Sequence, residues 1–169
     1  DEALPLVIRA EEIAPERSAF RTLHAQILCV AGRTAECIAM LDDIVARDPG
    51  HPWPRHVMSL ARLARQDYPA WLESYAAFGD MIGVPRYRQA AASGEAALRT
   101  GGVAAMAGAM AAVDAGHYQR GEALAVEVAR HYAIGGLADE AMSWLRIALN
   151  RHEARLMTIL ADPAFRPLG

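Results

Sequence analysis

The chain has no lysine; all 17 of its basic residues are arginine. Schiff-base chemistry and a P-loop lysine are thereby excluded. Cysteine is almost missing too. Cys29 and Cys37 cannot form a disulfide framework, and they read as buried, unpaired thiols in a reducing compartment. Threonine is scarce, and Val and Ile rarely alternate with polar residues, so strand signals are nearly absent. No apolar run approaches the ~18 residues of a membrane-crossing helix, so no membrane contact is expected. The opening Asp-Glu-Ala-Leu is too acidic for a signal peptide. A basic surplus is also lacking. The formal net charge of −3 is a poor footprint for direct nucleic-acid binding. These absences predict a cytoplasmic domain.

What is present forms helices. Ala dominates, and Leu, Arg, Glu and Met are common. A hydrophobic fraction of 53% against 22% charged argues for a packed core rather than disorder. Leu23, Ile27 and Val30 recur at i, i+4, i+7, and Ile38, Leu41 and Val45 at i, i+3, i+7, both helical faces. Gly and Pro punctuation divides the chain into ten helices, at 1–13, 17–31, 34–47, 52–65, 69–82, 85–99, 103–115, 118–134, 137–150 and 152–161. Short links between them predict antiparallel hairpins.

An internal repeat underlies this punctuation. Pro15 and Pro49 stand 34 residues apart, each closing a helix. Ala3, Val7 and Ala10 precede the first as Cys37, Leu41 and Ile44 precede the second, a small-large-small face suited to close helix approach. This period, with Gly at the inner turn and Pro at the outer, resembles the tetratricopeptide repeat. In that alignment 1–17 is the second helix of a truncated repeat, 18–51 a whole repeat, and 52–83 a degenerate one with Trp71 at the small position. Residues 84–121 form a divergent pair, 122–155 the best-matched repeat, and 156–169 a capping tail, all in a single domain. The resemblance implies an all-α, TPR-like α-solenoid with Ala3, Cys37, Ala129 and Ala141 at tight crossings. It also implies that Leu156 and Phe165 pack near Trp144 or Leu149. The C-terminal half is similar to repeat regions of bacterial multidomain signalling proteins that carry a cyclase, winged-helix or kinase domain. The chain is accordingly expected to be a piece of a longer protein.

Chemistry-bearing residues form no catalytic constellation. The six His lack zinc spacing, and the neighbouring carboxylates Glu11-Glu12, Asp42-Asp43 and Asp139-Glu140 point about 100° apart on their helices. No nucleophile elbow or phosphate loop is present. The expectation is therefore a non-enzyme without metal or cofactor. In the family, first helices line a concave groove for a protein or peptide partner. Matching positions here are Leu23, Gln26 and Val30, then Trp53, His56, Leu60 and Leu63, then Val126, Glu127, Arg130 and Ile134. That surface is mostly apolar and lacks the multiple donors of a carboxylate clamp. The expected role is regulatory or scaffolding protein–protein interaction. The alternatives are a small-molecule or signal-peptide sensor using the groove, and a homo-oligomerising module.

Overall fold

A computed structural model describes residues 3–168. The described residues are helical throughout and contain no strand. The α-helices are α1 (Ala3–Ile13), α2 (Ser18–Val30), α3 (Thr34–Arg47), α4 (Pro52–Ala64), α5 (Tyr68–Met81), α6 (Arg86–Gln119), α7 (Ala125–Ile134) and α8 (Ala138–Asn150). Two 3-10 segments follow, Ala154–Ala161 and Pro163–Leu168, where the spacing predicts an α-helix over 152–161. The chain divides into two compact units between Asp67 and Tyr68, inside the expected repeat 52–83.

In the N-terminal unit α2 and α3 form a hairpin that turns at Gly32, whose φ of 80° favours glycine. Cys37, Leu41 and Ile44 recur at i, i+4, i+7 and bury one face of α3 against Ala25 and Leu28 of α2. Val57, Met58 and Ala61 of α4 complete this core, with Trp53 packed against it. Polar contacts fix the hairpin's register. Ser18 Oγ donates to Asp48 Oδ2 at 2.8 Å, Arg21 pairs with Asp43 at 2.6 Å, and Glu11 on α1 meets His24 at 2.8 Å. Asp43 and Glu11 are thus paired between helices rather than merely solvated. His51 caps α4, its Nδ1 accepting from Trp53 N–H at 3.2 Å, and Pro52 opens the helix where no N–H is needed. Ala3, expected at a tight crossing, is exposed, whereas Cys37 is fully buried.

Cys29 and Cys37 are joined in a disulfide, which overturns the expectation of free thiols. The turn between α2 and α3 is short, so the last turn of α2 and the first turn of α3 stand opposite each other. The two Cα atoms lie 5.4 Å apart, within bridging range. Closing so short a loop contributes about 2–3 kcal/mol in the chain-entropy account. The cysteines therefore no longer argue for a reducing compartment.

In the C-terminal unit the decisive feature lies inside α6. By length and composition alone, this helix could cross a membrane. Its backbone, however, breaks at Gly102, with φ 70° and ψ −161°, a region essentially reserved for glycine. The two arms fold back on each other. A Cβ on Gly94 would lie 2.7 Å from Met110 Cγ, and Arg86 reaches Asp114 at 3.1 Å. Along a straight helix those last two residues would be roughly 40 Å apart. The break matches the predicted separation of 85–99 from 103–115. A second departure follows. The predicted helix 118–134 is interrupted at Gly121 (φ 76°), so α6 runs to Gln119 and α7 starts at Ala125. The α7–α8 hairpin turns at Gly136 (φ 69°), 34 residues after Gly102. Gln66, 34 residues after Gly32, is also left-handed with φ 58°. Ala129 and Ala141 are both fully buried, as their small size at a tight crossing requires.

Two measurements check these features. Thiol titration under denaturing, non-reducing conditions is expected to find no free thiol; two free thiols would contradict the Cys29–Cys37 bond. Gly102→Ala separates a turn from a continuous helix by its sign. In a straight helix it would stabilise by about 1 kcal/mol. At this backbone angle it is expected to destabilise by about 1–3 kcal/mol in denaturant unfolding.

Candidate functional site

The C-terminal unit buries a set of charged side chains that no motif announced. Arg86 opens α6, Asp114 lies on its returning arm, and Glu127 and His131 share one face of α7 at i, i+4. The Gly102 turn is what brings Arg86 and Asp114 together. Arg86 Nη1 donates to Asp114 Oδ1 at 3.1 Å and Nη2 to Glu127 Oε1 at 2.7 Å. Arg155 Nη1 donates to the same Glu127 oxygen at 2.8 Å. His131 Nε2 lies 3.0 Å from Asp114 Oδ2, with the Tyr75 hydroxyl of α5 at 3.4 Å. Asp114 is wholly buried and His131 is 1% exposed.

Charge compensation explains why this cluster is tolerated. Buried Arg86 and the Arg155 side chain, which is 56% exposed, face two carboxylates, so the cluster's charges balance with one guanidinium reaching in from the surface. The remaining Glu127 oxygen accepts from Leu124 N–H at 2.9 Å and tethers the start of α7. Aromatic rings wall the cluster. The Arg86 guanidinium lies 4.8 Å from the Tyr87 ring centroid, and Tyr75 meets His131 edge-on at 5.7 Å. Among the described residues of this unit, Arg86 Nε, His131 Nδ1 and Trp71 Nε1 are buried and make no hydrogen bond.

The environment shifts two acids in opposite directions. Burial alone would raise Asp114, but the His131 hydrogen bond, with the charges of His131 and Arg86, outweighs it and holds the carboxyl below its usual range. Burial first, and then the Asp114 charge, push the Tyr75 hydroxyl well above its ordinary value. Asp114 is thus kept as a carboxylate and Tyr75 as a neutral phenol.

The expected groove residues meet different fates. On α2, Leu23 and Val30 are exposed, at 39% and 79%, with Gln26 half-buried beside them. Trp53, His56 and Leu60 on α4 are half-buried, while Leu63 is buried. On α7 the expectation of a surface is corrected. Val126, Glu127 and Ile134 are interior positions: Val126 packs with residues of α8 and the 3-10 segments, and Glu127 turns inward to Arg86 of α6. Arg130 is largely covered as well and pairs with Asp162 at 2.7 Å. Leu156 and Phe165 join a cluster with Trp144, as expected, but Leu149 stays 64% exposed. Among the described residues no group of three or more His, Cys, Asp or Glu is placed to hold a metal ion.

Comparison with family models, curated proteins and solved structures gives no match. The repeat resemblance therefore rests on the residues and turns described above.

The network predicts acid sensitivity with a defined sign. A carboxyl held low in the folded state stabilises the fold above its unfolded pKa of about 4, and this contribution is lost as pH falls. Wild type is expected to lose stability below about pH 4 more steeply than Asp114→Asn in urea unfolding. Asp114→Asn should itself cost about 3–5 kcal/mol near neutral pH, because it leaves the buried Arg86 guanidinium undercompensated. Equal acid slopes for the two proteins would contradict the assignment.

Proposed function

We propose that this chain is a non-catalytic helical-repeat module that binds a protein or peptide partner, as the regulatory or scaffolding part of a signalling protein. The observation that carries the reading is the face of α2. Leu23 and Val30 lie at i, i+7 on one side of a helix that packs against both α3 and α4, and yet both stay exposed. Gln26 lies on the same helix between them, and Trp53, His56 and Leu60 are half-buried on α4. Apolar positions with a few polar handles suit a peptide that offers aromatic or aliphatic anchors. Helices held by a packed core, and here by a disulfide, present such a face preformed, which lowers the ordering cost of binding.

Burial argues against using the Asp114–His131–Tyr75 contacts for catalysis. A reacting atom cannot approach an imidazole that is 1% exposed. Those groups instead hold helices in place, which is the role the packing supports.

Selection from a random peptide display library tests the binding reading. Wild type is expected to enrich peptides with aromatic or aliphatic anchors, bound with little dependence on salt. Leu23→Asp with Val30→Asp should abolish that binding while the circular dichroism spectrum stays helical. Enrichment of acidic peptides released by salt, or binders indifferent to the double substitution, would contradict the reading.

A further inference from the structure

The disulfide of the N-terminal unit joins two helix ends of opposite polarity. Cys29 is the next-to-last residue of α2, at the negative end of that helix, and Cys37 is the fourth residue of α3, at the positive end. Their burial differs as well. Cys37 is fully buried in the core cluster with Ala25, Leu28 and Leu41. Cys29 is half-buried at the border of that cluster, beside Val30, which is 79% exposed. The bond is therefore approached from solvent on its Cys29 side.

The meeting of the two cysteines does not depend on the bond between them. The turn is closed by its own backbone. Arg33 N–H donates to the Leu28 carbonyl at 2.9 Å and Gly32 N–H to the Cys29 carbonyl at 3.2 Å, a Schellman pair around the left-handed Gly32. Leu41 and Ile44 hold the middle of the hairpin in the core, and the Ser18–Asp48 and Arg21–Asp43 contacts tie its open end. A hairpin fixed in these ways keeps the two sulfurs facing each other in the reduced state. The dithiol then closes again by an intramolecular step.

We propose that Cys29 and Cys37 form a reversible dithiol–disulfide couple, and that Cys29 is the site at which an external thiol adds. No approach to the fully buried Cys37 is open, so a thiolate attacks Cys29 Sγ. A bond forms between the external sulfur and Cys29, the Cys29–Cys37 bond breaks, and the electron pair leaves on Cys37. The N-terminal end of α3 favours that departing charge, and in its apolar setting the thiolate takes up a proton from solvent. When the reductant is a dithiol, its second thiol attacks its own sulfur in the mixed disulfide and releases Cys29. The reductant thereby becomes a disulfide, losing two electrons and two protons, and the two cysteines become thiols. In the reverse direction a low-molecular-weight disulfide adds at Cys29, and Cys37 resolves the mixed disulfide. The chain thus follows the thiol–disulfide balance around it without unfolding. This couple does not depend on partner binding at the α2 face.

The first experiment uses the wild-type chain in native buffer. Dithiothreitol is added, and the thiols that appear are trapped with iodoacetamide and located by peptide mass mapping. Reduction is expected to leave the helical circular dichroism signal in place, with Cys29 alkylated at least tenfold faster than Cys37. Glutathione disulfide, added instead of iodoacetamide once the reductant is removed, should restore the bond. The second experiment compares Cys37→Ala with Cys29→Ala. Glutathione disulfide should add one glutathionyl group to Cys29 of the first variant at least tenfold faster than to Cys37 of the second. Equal rates at the two sulfurs, or a faster Cys37, would overturn the assignment of Cys29. Reduction that requires urea, or that melts the helices, would overturn the couple itself, because the bond would then be a fixed part of the fold.

Discussion

A guanidinium inside a protein must be compensated, and in this chain that requirement organises the C-terminal unit. Arg86 stands where α6 begins and is only 8% exposed. Its partners come from the far arm of the same helix and from the next helix. Satisfying it therefore requires that α6 fold back at Gly102 and that α7 dock alongside with Glu127 inward. Neither event stabilises the charge alone. Together they place two carboxylates on one guanidinium and leave a second guanidinium, Arg155, to balance Glu127. Pairing of this kind adds little net stability compared with an apolar core, but breaking it is costly, so it penalises other arrangements of the same helices.

The N-terminal unit solves a different problem with different means. Its α2–α3 hairpin is held by a small-large-small apolar stripe and a disulfide across a glycine turn. Cross-helix pairs such as Arg21–Asp43 add register rather than much energy, since both partners remain partly solvated. Left-handed turn residues 34 apart occur in both units, at Gly32 and Gln66 and again at Gly102 and Gly136.

The sequence made the helices legible because apolar periodicity and Gly or Pro breaks are local signals. It placed the α6 break correctly, since Gly101-Gly102 interrupts good helix formers. It misjudged three things that depend on distant contacts. Cys29 and Cys37 read as unpaired thiols, whereas the tightness of the Gly32 turn brings them together. Val126, Glu127 and Ile134 were given to a surface because a repeat pattern does not reveal what covers a helix. Arg86, Asp114 and His131 carry no motif spacing at all, and their meeting depends on a turn that reverses the chain between them.

The most direct test of this account is a double-mutant cycle between Arg86 and Asp114, using Arg86→Met and Asp114→Leu and denaturant unfolding at neutral pH. Each single substitution strands one charge in the interior, whereas the double substitution strands neither of these two. The account predicts that the double variant is much more stable than the sum of the singles implies, with a coupling of about 2 kcal/mol or more. Single effects that simply add would show that Arg86 and Asp114 do not compensate each other, and the organising role given to this pair would be contradicted.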